Sequence, residues 1–157
     1  MEKLEKTNAM RSLDQKKIPY IVHYYDQEVA VSGVEVANIL NEDVTHVFKT
    51  LVTVGKSRKN YVFVIPVELE LDLKKAAKAA NEKSIEMLKS KELLGLTGYV
   101  HGGCSPIGMK KLFKTFIDPS AFNYKTIFIS GGKRGIQIEI AIENLLKIVP
   151  VIKADLI

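Results

Sequence analysis

The stretch VFKTLVTVG (residues 47–55), continued by KSRKN (56–60) and YVFVIPV (61–67), decides the fold. The outer segments are β-branched and aromatic, and the middle one is short and polar, which predicts two antiparallel strands joined by a turn. Lys49 is the one charged residue of the first segment. Its ammonium group either extends to solvent at a sheet edge or enters a pocket that holds an anion or a polarised carbonyl.

Helices are predicted where apolar residues recur at helical spacing, several of them behind a capping residue. SGVE at residues 32–35 fits a capping box, in which serine and glutamate side chains bind each other's backbone amides. Asp72 can cap a helix that continues through Ala80, and Ser90 a shorter one through Leu94. The predicted helices are a charged one over residues 3–17, one begun by the capping box, those capped by Asp72 and Ser90, and a last one near Leu145.

Short apolar runs predict the remaining strands. Over residues 136–143, isoleucines alternate with Gln137, Glu139, Ala141 and Glu143, as in a strand with one buried face. Because hairpins and helices interleave without a regular strand–helix–strand repeat, we expect an α+β fold with a mixed, mostly antiparallel sheet. The other predicted strands cover residues 20–25, 85–88, 116–118, 126–130 and 151–157.

Length and composition predict a single globular domain over residues 1–157, with 46% hydrophobic and 26% charged residues. The formal net charge of +5, from 23 Lys and Arg against 18 Asp and Glu, favours anionic partners such as nucleic acid. The longest purely apolar run has seven residues (61–67), whereas a membrane helix needs about 20. Residues 1–17 lack the apolar centre of a secretion signal, so we expect a cytoplasmic protein with no membrane partner.

Two glycine-rich segments, GYVHGGCSPIGMKK (98–111) and SGGKRG (130–135), are candidate binding loops. Glycine lets backbone N–H groups face a ligand, and the adjacent lysines and arginine add positive charge, so each could hold a phosphate or an oxyanion. The alternative is that both are turns between strands. Neither is a P-loop or a G-x-G-x-x-G motif, and we expect no cofactor.

Cys104 is the single cysteine, and His101 stands three residues before it. The pair could form a nucleophile with its base, but a lone cysteine is more often a small buried apolar residue. As metal ligands they are one pair only, and His23 and His46 show no ligand spacing, so we expect no metal site.

Five segments together resemble a known family. They occur in the order found in YbaK-like proteins, which are bacterial trans-editing aminoacyl-tRNA deacylases related to the insertion domain of prolyl-tRNA synthetase. The segments are His23-x-Tyr25, FKTL (48–51), LDLKKAAKA (71–79), residues 98–111 and residues 130–135.

The resemblance implies a sheet or partly open barrel flanked by helices, and hydrolysis of the ester that joins cysteine to tRNA(Pro), with the substrate's own thiol as the attacking group. It implies that Lys49 is catalytic. Aminoacyl-tRNA is the implied partner, and prolyl-tRNA synthetase is a further one to test. The implied substrate-binding residues are Tyr25, Thr50, Gly102, Gly103, Ser130, Gly131, Gly132, Arg134 and Gln137.

One position departs from the family pattern. GKRGxDIE is usual there, but this chain has GKRGIQIE, so Gln137 replaces an acidic residue. Two alternatives therefore stay open beside the cysteine ester. One is a deacylase for alanine, serine or proline on tRNA, and the other is a regulator that binds tRNA or a nucleotide without catalysis.

Overall fold

The computed structural model describes residues 6–28 and 32–157, and within these ranges it contains five α-helices and eight strands. The helices are α1 (Asn8–Gln15), α2 (Gly33–Ile39), α3 (Leu73–Ala80), α4 (Ser90–Thr97) and α5 (Ile142–Ile148). The strands are β1 (Ile21–Tyr24), β2 (Phe48–Gly55), β3 (Asn60–Pro66), β4 (Ile85–Met87), β5 (Lys114–Ile117), β6 (Thr126–Lys133), β7 (Ile136–Ala141) and β8 (Val151–Lys153).

The strands form two sheets. One has the order β4-β2-β3-β5-β8, and the other has the order β1-β7-β6. Pairing is parallel between β3 and β5 and between β5 and β8, and antiparallel in the other pairs. The predicted α+β class with a mixed, mostly antiparallel sheet is confirmed. The two sheets do not close into a barrel.

The hairpin predicted from residues 47–67 is confirmed, with β2 and β3 antiparallel and Lys49 opposite Ile65. The capping box is also present, since the Ser32 hydroxyl accepts from the Glu35 amide at 3.2 Å and the Ser32 amide donates to Glu35 Oε1 at 3.2 Å. Asp72 caps α3 by accepting from the amides of the first turn. Local capping chemistry therefore sets the start of both helices.

Several predicted boundaries are wrong. Ser90 is the first residue of α4 and does not cap it, because Lys89 holds the cap position. The helix continues to Thr97, where Gly98 takes the left-handed conformation (φ +88°) that commonly ends helices. Of the helix predicted over residues 3–17, the structure has Asn8–Gln15, with Thr7 as its cap. Residues 3–5 of that prediction lie outside the described residues.

The segment SGGKRG is mostly strand. β6 extends through Lys133, with a register shift between Ser130 and Lys133 where the glycines form a bulge. Only Arg134 and Gly135 remain to form the turn into β7. The predicted strand end at Ser130 is wrong, because the bulge accommodates the glycines and the strand continues past them.

The core has three parts. The largest packs α1 and α5 against the three-stranded sheet, the second packs α3 against β3 and β5, and the third lies beneath α4. The alternation predicted for β7 fails at Gln137. Its side chain was expected on the exposed face, but it is only 4% exposed, and its neighbours Ile136 and Ile138 are buried too. No helix within the described residues is long and apolar enough to cross a membrane.

Candidate functional site

The candidate site lies where the two sheets separate. A single parallel bridge joins Val47 to Phe128 of β6. Further along β2, strand β4 begins to pair only at Thr53. Among the described strands, none therefore pairs with this edge of β2 at residues 49–51. The fork between β2 and β6 opens into a cavity.

The cavity measures about 390 Å³ and is mainly apolar, at the lower end of the range of small-molecule sites. Its walls come from α2, β2, α4, β6 and the start of β7, together with Met87 of β4 and the loop around Gly102. The polar and cationic residues that line it are Tyr25, Ser32, Lys49, Thr50, Ser90, His101, Ser130 and Gln137. A compact apolar chamber with a few converging polar groups is the usual form of a binding site.

Lys49 and Thr50 are consecutive, and both line the cavity together with Leu51. Residues 47–52 all line the cavity. Because successive side chains of a strand point to opposite faces, such an unbroken run indicates that the cavity lies along the edge of the strand. Lys49 is half-buried. Of the two interpretations of this lysine, the structure favours the pocket.

A second wall is the loop around Gly102, which the β6–β7 turn holds in place. Arg134 Nε donates to the carbonyl oxygen of His101 at 2.8 Å. Gly102 has φ +86°, and a Cβ there would lie 2.9 Å from Arg134 Nε. A Cβ at Gly103 would lie 3.1 Å from the backbone of Lys133 and Arg134. The two glycine-rich segments predicted as binding loops thus pack directly against each other.

Four predicted site residues lie outside the cavity lining, namely Gly103, Gly131, Gly132 and Arg134. Gly131 and Gly132 face α1 instead, since the Thr7 hydroxyl donates to the Gly131 carbonyl at 2.5 Å. A Cβ at Gly132 would lie 3.0 Å from Thr7 Cβ. These four residues pack next to the cavity wall on the side away from the cavity. The structure brings together the other six predicted site residues, which are Tyr25, Lys49, Thr50, Gly102, Ser130 and Gln137.

Gln137 connects the cavity to a polar group behind it. Its Nε2 donates to Glu42 Oε1 at 3.0 Å, whereas its Oε1 is buried without a hydrogen-bond partner among the described residues. Burial raises the pKa of Glu42, which the hydrogen bond from Gln137 partly opposes. Nearby, His23 Nε2 and Glu139 Oε1 are 2.9 Å apart.

Cys104 lines the cavity but is only 8% exposed, and burial raises the pKa of its thiol to about 12. At neutral pH such a thiol stays protonated, and the thiol is a far weaker nucleophile than the thiolate. Among the described residues, no group of three or more His, Cys, Asp or Glu side chains could hold a metal ion.

Sequence reasoning missed three residues that build the site. Ser32 and Gly33 at the start of α2 line the cavity, and a Cβ at Gly33 would lie 1.9 Å from Val67 Cγ2. The glycine inside the capping box was a readable signal for this close approach. Glu42 was missed because it stands in the polar run Asn41-Glu42-Asp43, which resembles an ordinary surface turn.

Comparisons with known proteins identify the family of this chain. The model of the aminoacyl-tRNA editing domain matches residues 27–148. An Enterococcus faecalis (strain ATCC 700802 / V583) protein, EbsC, named as a candidate Cys-tRNA(Pro)/Cys-tRNA(Cys) deacylase, is 49% identical over 145 residues, covering 92% of this chain and 88% of its own length.

Two solved structures share the fold. A candidate trans-editing enzyme for prolyl-tRNA synthetase superposes with a TM-score of 0.85 at 23% identity, over 95% of this chain and 94% of its own. The hypothetical protein APE2540 superposes with a TM-score of 0.86 at 19% identity, over 95% of this chain and 98% of its own. The predicted resemblance is confirmed, and the chain belongs to the aminoacyl-tRNA editing domain family.

Proposed function

We propose that this protein removes the amino acid from mischarged tRNA by cleaving the aminoacyl ester, with cysteine on tRNA(Pro) as its main substrate. The observation that carries the proposal is the convergence of Lys49, Thr50, Ser130 and Gln137 on one small cavity in a chain of the editing family. The name of the E. faecalis relative supports the choice of cysteine.

The cavity suits a small aminoacyl group. Its volume of about 390 Å³ and its valine, leucine and isoleucine walls favour a compact, weakly polar side chain over a large or charged one. Apolar walls discriminate poorly between near-isosteric side chains, because one methylene or hydroxyl changes binding by only about 1 to 3 kcal/mol. Selection between cysteine and serine must therefore come from chemistry rather than from size.

The chemistry requires little from the protein because an aminoacyl ester is already activated. We assign to the Lys49 ammonium group the stabilisation of the negative charge that develops on the ester carbonyl oxygen. Gly102 is the backbone donor that we assign beside it, since Gly102 lines the cavity. The Gly103 amide is already bonded to the Val100 carbonyl at 3.0 Å.

We assign the attack to the substrate's own thiolate. Its sulfur forms a bond to the ester carbonyl carbon, the bond from that carbon to the ribose oxygen breaks, and the oxygen leaves with a proton as the free tRNA hydroxyl. The amino acid departs as a cyclic thioester, which water then opens to cysteine. Lys49 and Gly102 stabilise the same oxyanion in the attack step, and Cys104 takes no part.

The tRNA backbone is held by positive charge around the cavity. Lys133 and Arg134 are exposed and lie against the Gly102–Gly103 loop, and Lys110 and Lys111 are exposed on the same glycine-rich segment as that loop. Contacts from lysine and arginine to phosphate give affinity without reading bases. Choice of tRNA(Pro) would then need a partner, and we propose prolyl-tRNA synthetase, in the cytoplasm where aminoacylation occurs.

The test is a panel of aminoacylated tRNAs that carry cysteine, serine, alanine or proline, incubated with the wild type and with Lys49→Ala. Lys56→Ala is the matched control, because Lys56 is an exposed lysine of the same hairpin outside the cavity. We expect the wild type and the control to clear cysteine fastest, and Lys49→Ala to lose clearance without unfolding. Binding of tRNA without hydrolysis of any ester would instead support the non-catalytic regulator.

A further inference from the structure

A polar pair stands behind the cavity wall and touches it through one residue. Gln137 lines the cavity and is only 4% exposed, and its Nε2 donates to Glu42 Oε1 at 3.0 Å. Glu42 follows α2 on the way to β2 and is not itself part of the lining. Gln137 therefore links the carboxylate to the cavity by a hydrogen bond, while Glu42 itself does not line it.

The chemistry of the pair fixes how the Gln137 amide is oriented. An ionised carboxylate accepts hydrogen bonds and cannot donate them, so it binds the NH₂ group of the amide. Because the amide is planar, its carbonyl oxygen is then directed away from Glu42. That oxygen, Gln137 Oε1, is buried and has no hydrogen-bond partner among the described residues. Buried polar atoms are nearly always bonded in native proteins, so this one is a candidate to bind a ligand.

A second oxygen at the cavity has the same property. Thr50 Oγ1 is buried and lacks a partner among the described residues, and Thr50 lines the cavity from the opposite sheet. Two acceptors in one chamber call for a ligand with several N–H donors. An aminoacyl ester carries such a group next to its carbonyl, namely the α-ammonium group with three donors. The Glu42 carboxylate adds negative charge behind the pair, and among the described residues His23 and Glu139 are the other titratable groups that act on Glu42.

We propose that Glu42 is a positioning residue, which turns the Gln137 amide so that its carbonyl oxygen, together with the Thr50 hydroxyl, receives the α-ammonium group of the aminoacyl ester. This inference rests on the proposed deacylase function. It assigns recognition of the amino group to the Gln137 side of the cavity, apart from the Lys49 side that acts on the carbonyl.

The experiment compares cysteinyl-tRNA with 3-mercaptopropionyl-tRNA, which keeps the thiol and the ester and lacks only the amino group. Each rate is divided by the rate of spontaneous hydrolysis. We expect the wild type to prefer cysteinyl-tRNA by about tenfold or more in kcat/KM, because one hydrogen bond to a charged group commonly has that effect. The preference should lie mostly in KM, since the ammonium group is bound before and during the reaction.

Two variants test the role of Glu42. In Glu42→Gln, residue 42 no longer fixes the orientation of the Gln137 amide. The ratio of kcat/KM for cysteinyl-tRNA to that for 3-mercaptopropionyl-tRNA should therefore fall towards one. In the exchanged pair Glu42→Gln with Gln137→Glu, an acceptor again faces the amino group while the new glutamine donates to it from behind, so the preference should return. Glu86→Gln, an exposed glutamate outside the cavity lining, should keep the wild-type preference. An unchanged preference in Glu42→Gln would overturn the proposal.

A second readout does not depend on activity. The two side-chain NH₂ proton signals of ¹⁵N-labelled Gln137 are assigned by their loss in Gln137→Leu. Their chemical shifts should differ because of the hydrogen bond to the Glu42 carboxylate, and they should change in Glu42→Gln. Equal positions in both proteins would overturn the positioning role. If no ester is hydrolysed but these signals move, the proposed function fails and the positioning of Gln137 stands.

Discussion

Replacing Gly102 with alanine should weaken both the fold and the site. At φ +86°, an L-residue is strained by about 1 to 2 kcal/mol. The new Cβ would also lie 2.9 Å from Arg134 Nε, so the arginine must move and give up its bond to the His101 carbonyl. That exposed bond adds about 0.5 to 1 kcal/mol. We expect a total loss of roughly 2 kcal/mol in the free energy of unfolding, or about 4 to 8 °C in Tm.

Thermal and urea unfolding measure this loss, and a double-mutant cycle separates its two parts. In an Arg134→Ala background only the backbone strain remains, so Gly102→Ala should cost less there than in the wild type. Gly95→Ala is the matched control. Nothing lies within 4 Å of a Cβ at Gly95, which is an exposed residue of α4, so it should stabilise by about 0.5 to 1 kcal/mol.

Activity should fall with stability in Gly102→Ala, by on the order of 100-fold in kcat/KM, because the backbone donor shifts relative to the carbonyl. An equal loss of stability in Gly102→Ala with and without Arg134 would contradict this explanation, as would a variant with unchanged stability and turnover. In the first case the contact between the two glycine-rich segments does not hold the loop.

Three further predictions follow from the site. Cys104→Ala should keep most of the deacylation rate, since burial raises the pKa of the Cys104 thiol to about 12. Loss of the rate in a folded variant would instead indicate that Cys104 is a nucleophile. Affinity for tRNA, measured by filter binding, should fall steeply with salt, and Lys133→Ala should reduce that slope equally for tRNAs of different sequence. Burial raises the pKa of Glu42 above its unfolded value, so its protonated form favours the folded state at low pH, and this contribution is lost as the pH rises through the folded pKa. The free energy of unfolding of Glu42→Gln should therefore rise relative to that of the wild type as the pH increases above about 4, and a difference that stays constant with pH would contradict the burial.

Local patterns predicted most of the framework. Alternating β-branched residues in 47–55 and 61–67 identify the hairpin because its pairing is between neighbours in sequence. Serine with glutamate at 32–35, and Asp72 before its helix, identify helix starts through bonds within one turn. These features depend on contacts only a few residues apart, and sequence patterns report such contacts well.

The cavity itself could not be predicted by local reasoning. It exists because β2 and β6 meet at Val47 and Phe128 and then separate, which depends on residues 81 positions apart. The packing of Gly102 on Arg134 and the bond between Glu42 and Gln137 are of the same long-range kind. The resemblance to the editing family placed Lys49, Thr50 and Gln137 in one pocket, but it gave no sign of the glutamate behind them.

The most direct test of attack by the substrate thiol is the ratio of single-turnover rates on cysteinyl-tRNA(Pro) and seryl-tRNA(Pro) at neutral pH. The two side chains are nearly the same size, so an apolar cavity alone cannot separate them strongly. A thiol yields a useful fraction of thiolate near pH 7, whereas a hydroxyl does not. We expect the cysteine ester to be cleared far more than ~10 times faster. Equal rates would show that water attacks both esters and that the substrate thiol has no part in the reaction.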